Sequence, residues 1–339
     1  MKIYRSLDAL PAGFGPTVAT IGNFDGVHRG HQWVIAEVIA RARTLGAGSL
    51  AITLDPHPAR VLRPETSTLA LITPLAEKLD LLAATGIDAV LVLPFDTPLS
   101  RMSAREFATK VLHEAVHAIE IHEGENFRFG HQAEAGVDGA EGLTQLGKEL
   151  GFAVRTYAPR ALRGEPVSSS RIRALIAAGD VRHARALLGA PFTILGTPAS
   201  GRGYGTKYTV PTINLAPYAE LLPANGVYIT AITIGEGERA ETFDAVTNVG
   251  NRPTFGADSF TVESHLLNFH PIELTESTPV RVAFLNRLRP EIRWPSPEAL
   301  REQIGRDVAR ARRYFTLCRA VGARRPAAPA SLAEPAEQE

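Results

Sequence analysis

Ile21-Gly22-Asn23-Phe24-Asp25-Gly26-Val27-His28-Arg29-Gly30-His31 is the stretch whose reading decides the fold of the first half of this chain. The apolar run Thr17 to Ile21 reads as a strand that stops at Gly22. Beyond Gly30, Val34, Ile35, Val38 and Ile39 recur at helical spacing. The segment is therefore a strand-to-helix turn. Working outward, Leu50 to Leu54 is a second strand, a helix spans Pro74 to Ala84, and Ala89 to Leu93 is a continuous apolar strand. Ser103-Ala104-Arg105-Glu106 is a capping-box pattern opening a helix through Phe107, Val111 and Leu112. Ala118 to Ile121 and Ala153 to Tyr157 complete an alternation that implies a parallel sheet with helices on both faces. In such folds, ligands bind at the carboxyl edge of the sheet, where this turn lies.

The turn carries phosphate chemistry. Gly22, Gly26 and Gly30 let backbone approach a ligand, and a helix starting near Gly30 offers unpaired N–H groups and a positive dipole end. His28 and His31, three residues apart, can donate to phosphate oxygens, and protonation would add charge against a pentavalent phosphorus. A His-x-Gly-His pair also suits a metal, but no further Cys, His or Asp cluster stands at ligand spacing, which disfavours zinc. On a strand-to-helix turn with three glycines, the pattern is similar to the signature of nucleotidyltransferases that act at an α-phosphate.

From Phe192 the texture changes to strands: Gly226 to Ile234, Thr242 to Val249, Thr261 to Leu267 and Val280 to Leu285, with one late helical pattern at Leu300, Ile304 and Val308. This predicts a small antiparallel β-barrel closed by a C-terminal helix. Two short helices, Ser169 to Ala178 and Val181 to Leu188, precede it, so the expected domains are 1–188 and 189–318, with residues 319–339 a disordered tail. With 36 basic and 36 acidic residues, the net charge is zero and nucleic acid is a poor partner. Met1 to Arg5 leads into no apolar run, no stretch matches a membrane span, and there is one cysteine, Cys318. A cytoplasmic protein is expected, and an oligomer is compatible with all of this.

Gly22-Asn23-Phe24-Asp25-Gly26-Val27-His28-Arg29-Gly30-His31 resembles the adenylyltransferase module of the bifunctional prokaryotic riboflavin kinase/FAD synthetases. Further blocks follow in order: Thr53-Leu54-Asp55-Pro56-His57-Pro58, then Leu71-Ile72-Thr73-Pro74 with Lys78, then Gly124-Glu125-Asn126-Phe127-Arg128-Phe129-Gly130, then Val167-Ser168-Ser169-Ser170-Arg171-Ile172-Arg173. Pro211-Thr212-Ile213-Asn214, Asn248-Val249-Gly250 and Val262-Glu263-Ser264-His265 are similar to the kinase module. The resemblance implies a Rossmann-like nucleotidyltransferase domain followed by a barrel kinase domain. It also implies two reactions, phosphorylation of riboflavin to FMN and adenylylation of FMN to FAD. Riboflavin, FMN and ATP would be the ligands, with Mg²⁺ assisting.

By that resemblance, Gly22, Phe24, Asp25, Gly26, Gly30, Ser169, Ser170 and Arg171 would bind ATP in the first site, around His28 and His31. Asp55, His57, Asn126, Phe127 and Phe129 would receive the flavin. In the kinase, Gly201, Gly205, Pro211, Thr212 and Asn214 would hold ATP, and the oxygens of Thr212 and Asn214 suit Mg²⁺. Glu263 would be the general base toward the riboflavin 5′-hydroxyl. Taken alone, Ser169 to Arg173 also reads as a helix cap with solvated arginines, and Asp55 to Pro58 as a stiff turn. Three departures from the family stand out: Ser170 in place of Thr, Thr209 in place of Gly, and Asn268 in place of Asp. Ser170 keeps the hydroxyl, whereas Thr209 and Asn268 keep open a sensor whose kinase half has decayed. A nucleotidyltransferase for another phosphorylated acceptor is the remaining alternative.

Overall fold

The computed structural model describes residues 1–62, 69–125, 127, 139–162, 164–199, 212–251, 260–272 and 274–322. The chain divides into two compact units, Met1–Ser168 and the part from Ser169 onward. The first unit is built on strands β1 (Lys2–Tyr4), β2 (Thr17–Ile21), β3 (Gly48–Asp55), β4 (Ala89–Pro94), β5 (Ala118–Gly124) and β6 (Ala153–Tyr157). They form one parallel sheet in the order β1-β4-β3-β2-β5-β6. The helices are α1 (Arg29–Leu45), α2 (Pro58–Leu62), α3 (Leu75–Ala83), α4 (Thr97–Ser100), α5 (Ala104–Phe107) and α6 (Gly139–Leu150).

All five residues of β2 are buried, as a strand covered on both faces requires. Successive side chains on β3 go to opposite faces. Leu50 and Ile52 pack with Phe107, Val111 and Leu143, whereas Ala51 packs with Ile35, Leu79 and Leu82. From β2 the chain winds outward through β3 to β4, then returns to lay β5 on the other side of β2. The order of winding therefore reverses between β2 and β5. A crevice at the carboxyl ends of those two strands is where ligands bind in such sheets.

The capping box forms as expected: the Glu106 N–H donates to Ser103 Oγ at 3.2 Å, and the Ser103 N–H donates to Glu106 Oε2 at 3.0 Å. The helix it opens widens into a π-helical segment, Ala108–Ala115, and the Val116 N–H reaches back five residues to the Val111 carbonyl. The strand read as Ala118 to Ile121 runs on to Gly124. Helix α6 has no counterpart in the sequence pattern, since Gly142 and Gly147 break its apolar periodicity. A two-stranded hairpin, β7 (Ala161–Leu162) and β8 (Glu165–Pro166), follows β6.

The second unit opens with α7 (Ser169–Ala177) and α8 (Val181–Leu188), followed by strands β9 (Phe192–Gly196), β10 (Thr212–Asn214), β11 (Gly226–Ile234), β12 (Glu241–Asn251), β13 (Phe260–Leu266) and β14 (Val280–Pro290), and helix α9 (Pro297–Ala320). The antiparallel sheet runs β10-β13-β12-β11-β14-β9 and curls until its edges meet. A bridge pairs Pro198 with Leu215, and the Ala199 N–H donates to the Asn214 carbonyl at 2.7 Å. Inside, Phe192 stacks on Phe284 and the Tyr228 ring meets Phe284 edge-on. Helices α7 and α8, grouped with the first domain on sequence, fall in this unit. Arg287 ties them in, with Nη1 donating to the Ala178 carbonyl at 3.1 Å. On α9, the pattern residues Leu300 and Ile304 are exposed, and the face against the sheet is Val308, Ala311 and Phe315. Among the described residues, no helix is long and apolar enough to cross a membrane. The expected tail beyond residue 322 lies outside the described residues.

Gly147 shows where space is limiting: a Cβ there would lie 2.5 Å from the Phe152 carbonyl oxygen, backbone that cannot swing aside. Helix propensity alone would make Gly147→Ala stabilising by about 1 kcal/mol. The clash reverses the sign, and urea unfolding is expected to show a loss of about 1–3 kcal/mol.

Candidate functional site

The turn between β2 and α1 is held in an unusual shape. Phe24 and Val27 have φ of 46° and 37°, values that are strained for a bulky side chain. Three bonds hold it. The Ile72 and Thr73 N–H groups each donate to Asp25 Oδ1 at 3.0 Å, and the Gly26 N–H donates to Thr73 Oγ1 at 2.9 Å. Phe24 and Val27 are themselves buried against Ile35, Leu79 and Leu82. Asp25 is thus fully enclosed, spending its carboxylate on backbone.

This shape makes His28 the N-cap of α1, with its Nδ1 accepting from the His31 N–H at 3.3 Å. Nδ1 therefore carries the lone pair and the proton sits on Nε2. The two imidazoles stack with centroids 3.6 Å apart, and the Phe24 ring meets His31 edge-on at 5.2 Å. Gly30 makes this possible, because a Cβ there would stand 3.2 Å from the His28 ring. Burial lowers the His28 pKa to about 4, with its backbone hydrogen bond and Asp25 opposing. His31 is held well below the usual imidazole range by burial, then by His28 and Lys78. Both rings are neutral at pH 7, so the charge expected of an imidazolium is absent from the resting site.

The pair faces a cavity of about 250 Å³ at the carboxyl ends of β2, β5 and β6, the carboxyl edge at which the sequence placed the turn. Of the residues singled out on sequence, Gly22, Phe24, His28, Gly30, His31 and Phe127 line it. Asp25 and Gly26 shape the turn from behind. Asp55 ends β3, and His57 Nδ1 accepts from the Ala59 N–H at the start of α2; neither lines the cavity. Lys78 is buried, and that burial lowers its pKa against the fields of Asp25 and Asp55. Ser169, Ser170 and Arg171 open α7 in the second unit. Asn126, Phe129, Gly201, Gly205 and Pro211 lie outside the described residues, as does Thr209.

Sequence reasoning missed the rest of the wall: Trp33, Glu123, Tyr157 and Arg160. Arg160 lies 3.8 Å over the Trp33 ring, and Trp33 meets Tyr157 edge-on. Behind them, Tyr157 OH and His122 Nδ1 are 2.8 Å apart, and His122 Nε2 is 3.0 Å from Glu120 Oε1. Arg41 and Arg155 also donate to Glu120, holding it ionised. His122 Nε2 therefore donates to Glu120, and Tyr157 donates to Nδ1. The signal in the sequence was Glu120-Ile121-His122-Glu123, three ionisable residues within a strand that the sheet buries.

In the second unit, Thr212 and Asn214 share one face of β10, with Ile213 buried on the other. Register pairs Thr212 with His265 and Asn214 with Glu263, and Glu263 in turn with Asn248 on β12. Cross-strand neighbours lie about 5 Å apart at Cβ, so Asn214, Glu263 and Asn248 form one row. Thr212 Oγ1 is 3.5 Å from His265 Nδ1. Burial, then Arg312, lowers the His265 pKa. Asn268 donates to Asp244 Oδ2, which also receives Arg319. A third row, Thr230, Thr247 and Ser264, links buried hydroxyls at 2.6 and 2.8 Å.

Residues 12–171 match the FAD synthetase family and residues 188–315 the riboflavin kinase family. The bifunctional riboflavin kinase/FMN adenylyltransferase of Pseudomonas fluorescens is 35% identical over 92% of this chain and 97% of its own length. That of Escherichia coli K12 is 32% identical over 94% and 99%. A crystal structure described as a macrolide-efflux protein from Streptococcus pneumoniae superposes with a TM-score of 0.76 at 26% identity, covering 92% of this chain and 98% of that one.

An imidazole titration by NMR is expected to place the His28 midpoint near 4. A nucleotide triphosphate beside the rings favours their protonated forms, so binding should move both midpoints upward.

Proposed function

This chain belongs to the bifunctional riboflavin kinase/FMN adenylyltransferase family, and from that premise we propose how its residues divide the work. The enzyme converts riboflavin and ATP to FMN, then FMN and ATP to FAD and pyrophosphate. The stacked His28–His31 pair, at a helix N-terminus and facing the cavity of the first unit, is the observation that carries the assignment of adenylylation to that unit.

ATP lies with its α-phosphate against the N terminus of α1, where the positive end of the helix dipole receives anionic oxygen. His28 donates through Nε2–H. A phosphate oxygen of FMN attacks the α-phosphorus in line, a new P–O bond forms, and the bond to the β-phosphate breaks, releasing pyrophosphate. Neutral donors suffice at the outset. As charge accumulates on the equatorial oxygens, the pentavalent phosphorus raises the proton affinity of the adjacent rings, and a ring that takes up a proton adds charge where it is needed. Gly22 and Gly30 leave room beside the phosphates. Phe127 is the described member of the flavin wall. Asp55, His57, Asn126 and Phe129 complete the flavin contacts in this proposal.

In the second unit, Glu263 accepts the proton of the riboflavin 5′-hydroxyl as that oxygen attacks the γ-phosphorus of a second ATP and ADP departs. The donor set of Thr212 and Asn214, two neutral oxygens on one strand face, suits a hard cation that takes its remaining ligands from phosphates and water. Mg²⁺ held there would neutralise phosphate charge. Gly201, Gly205 and Pro211 belong to the same ATP site. The single cysteine fits a reducing cytoplasm, and the chemistry of both sites calls for small-molecule partners, with or without self-association.

His28→Ala is expected to lower FAD formation from FMN by about 10²-fold or more, with riboflavin phosphorylation kept near wild type. Glu263→Ala should lower FMN formation by about 10²–10⁴-fold and spare adenylylation. Chromatography of flavins from reactions started with riboflavin or with FMN reads both. Loss of both activities from either single change would overturn the division.

A further inference from the structure

Glu123, at the carboxyl end of β5, is 3% exposed and lines the cavity that His28 and His31 face. Its Oε1 accepts the Ile21 N–H at 2.5 Å, which fixes the carboxyl beside the last residue of β2, one step before the phosphate turn begins. Burial pushes this carboxyl well above the usual carboxylate range, and the one bond from Ile21 does not offset it. The ionisable groups around it are His28 and His31 from the turn and α1, Glu125 just beyond β5, and Tyr157 and Arg160 from the end of β6 and the segment after it. Arg160 is engaged over Trp33 and Tyr157 donates to His122. The histidines are neutral.

An uncharged carboxyl has one carbonyl acceptor and one O–H donor. The Ile21 amide occupies the acceptor, which leaves the O–H for the cavity. We propose that Glu123 is a nucleotide-binding residue of the adenylylation site, presenting an uncharged carboxyl whose O–H donates to an oxygen in the phosphate–ribose part of ATP. An ionised carboxylate at the same place would set a negative charge, poorly screened, against the triphosphate. Loss of the proton and binding of ATP therefore oppose each other, and bound ATP strengthens the hold on the proton by the same factor. Glu123 thus favours ATP only while it stays protonated, and it couples adenylylation to pH on the alkaline side. The inference rests on the adenylylation reading of this cavity.

Glu123→Gln keeps an acceptor and a donor but cannot ionise, whereas Glu123→Leu removes both. The infrared spectrum of the wild-type protein at neutral pH is expected to contain a protonated-carboxyl carbonyl band that Glu123→Gln lacks. In FAD formation from FMN, kcat/KM for ATP in the wild type should fall with rising pH, by about tenfold per unit once the group ionises, and Glu123→Gln should not show this fall. Glu123→Leu should raise KM for ATP by about tenfold, the cost of one hydrogen bond to a charged group, with kcat kept near wild type, which a misfolded first unit would not retain. Absence of the band, alkaline profiles that coincide, or a wild-type KM in Glu123→Leu would each overturn the proposal. His28→Ala separates this from the underlying reading: if it too leaves FAD formation untouched, the cavity is not the adenylylation site at all.

Discussion

The adenylylation site depends on one carboxylate that never meets its cavity. Asp25 accepts the Ile72 and Thr73 amides and so clamps the β2–α1 turn to the segment before α3. The turn is strained at Phe24 and Val27, at about 1–3 kcal/mol each. Hydrogen bonds to a charged group contribute about 1.5–3 kcal/mol each. Burial of an apolar side chain contributes about as much again, and both Phe24 and Val27 are buried. The offset exceeds the strain, so the turn persists without a ligand. Its product is the geometry of His28, an imidazole serving as helix cap with its remaining N–H on the far side of the ring. The site is preorganised by contacts on the side away from the chemistry.

A second constraint is charge. Glu120 and Glu123 lie three residues apart on β5 and are equally shut off from solvent, yet they hold opposite protonation states. Burial alone would raise both. Glu120 is brought below the ordinary carboxylate range by hydrogen bonds from Arg41, Arg155 and His122, while Glu123 has only the Ile21 amide. Glu123 also lies deeper in the protein, and depth together with the number of donors decides the outcome. Around the cavity, His28, His31 and Glu123 are thus uncharged, and the charge that enters with a triphosphate meets groups it can polarise. Glu120 acts one layer back, orienting His122 and through it the Tyr157 hydroxyl, which keeps the aromatic wall with Trp33 in place.

Much of this was legible in the residues. The β2 apolar run, the glycines and His-x-Gly-His located the turn and the histidine pair that faces the cavity. Alternation along Thr212-Ile213-Asn214 placed both oxygens on one face, as the register bears out. What stayed hidden has physical causes. Helix α6 carries three glycines, Gly139, Gly142 and Gly147, where propensity argues against a helix, and burial of Leu143 and Leu146 outweighs that preference. On α9 the apolar pattern named Leu300, Ile304 and Val308, of which only Val308 packs on the sheet, beside Ala311, where a small side chain allows close approach. Glu123 went unnoticed because the strand was ended at Ile121. A carboxyl inside a parallel sheet looks like the end of a strand until the cavity beside it is known. Asp25 was placed with the ATP-binding residues by resemblance alone, and its bonds to Ile72 and Thr73, which no sequence pattern announces, make it an anchor of the turn.

The departures of the second unit from its family pattern can be weighed on the same terms. Asn268 stands where the resemblance calls for Asp, a change that alone reads as a lost charge. Yet its amide donates to Asp244, a buried carboxylate already met by Arg319. An aspartate at 268 would bring a second negative charge to the same oxygen, where an asparagine brings a donor. The substitution therefore adds a donor to a buried carboxylate at the end of β13. It leaves the row Asn214, Glu263 and Asn248 in register along the strands, and the groups on which phosphoryl transfer is proposed to rest share one face of the sheet.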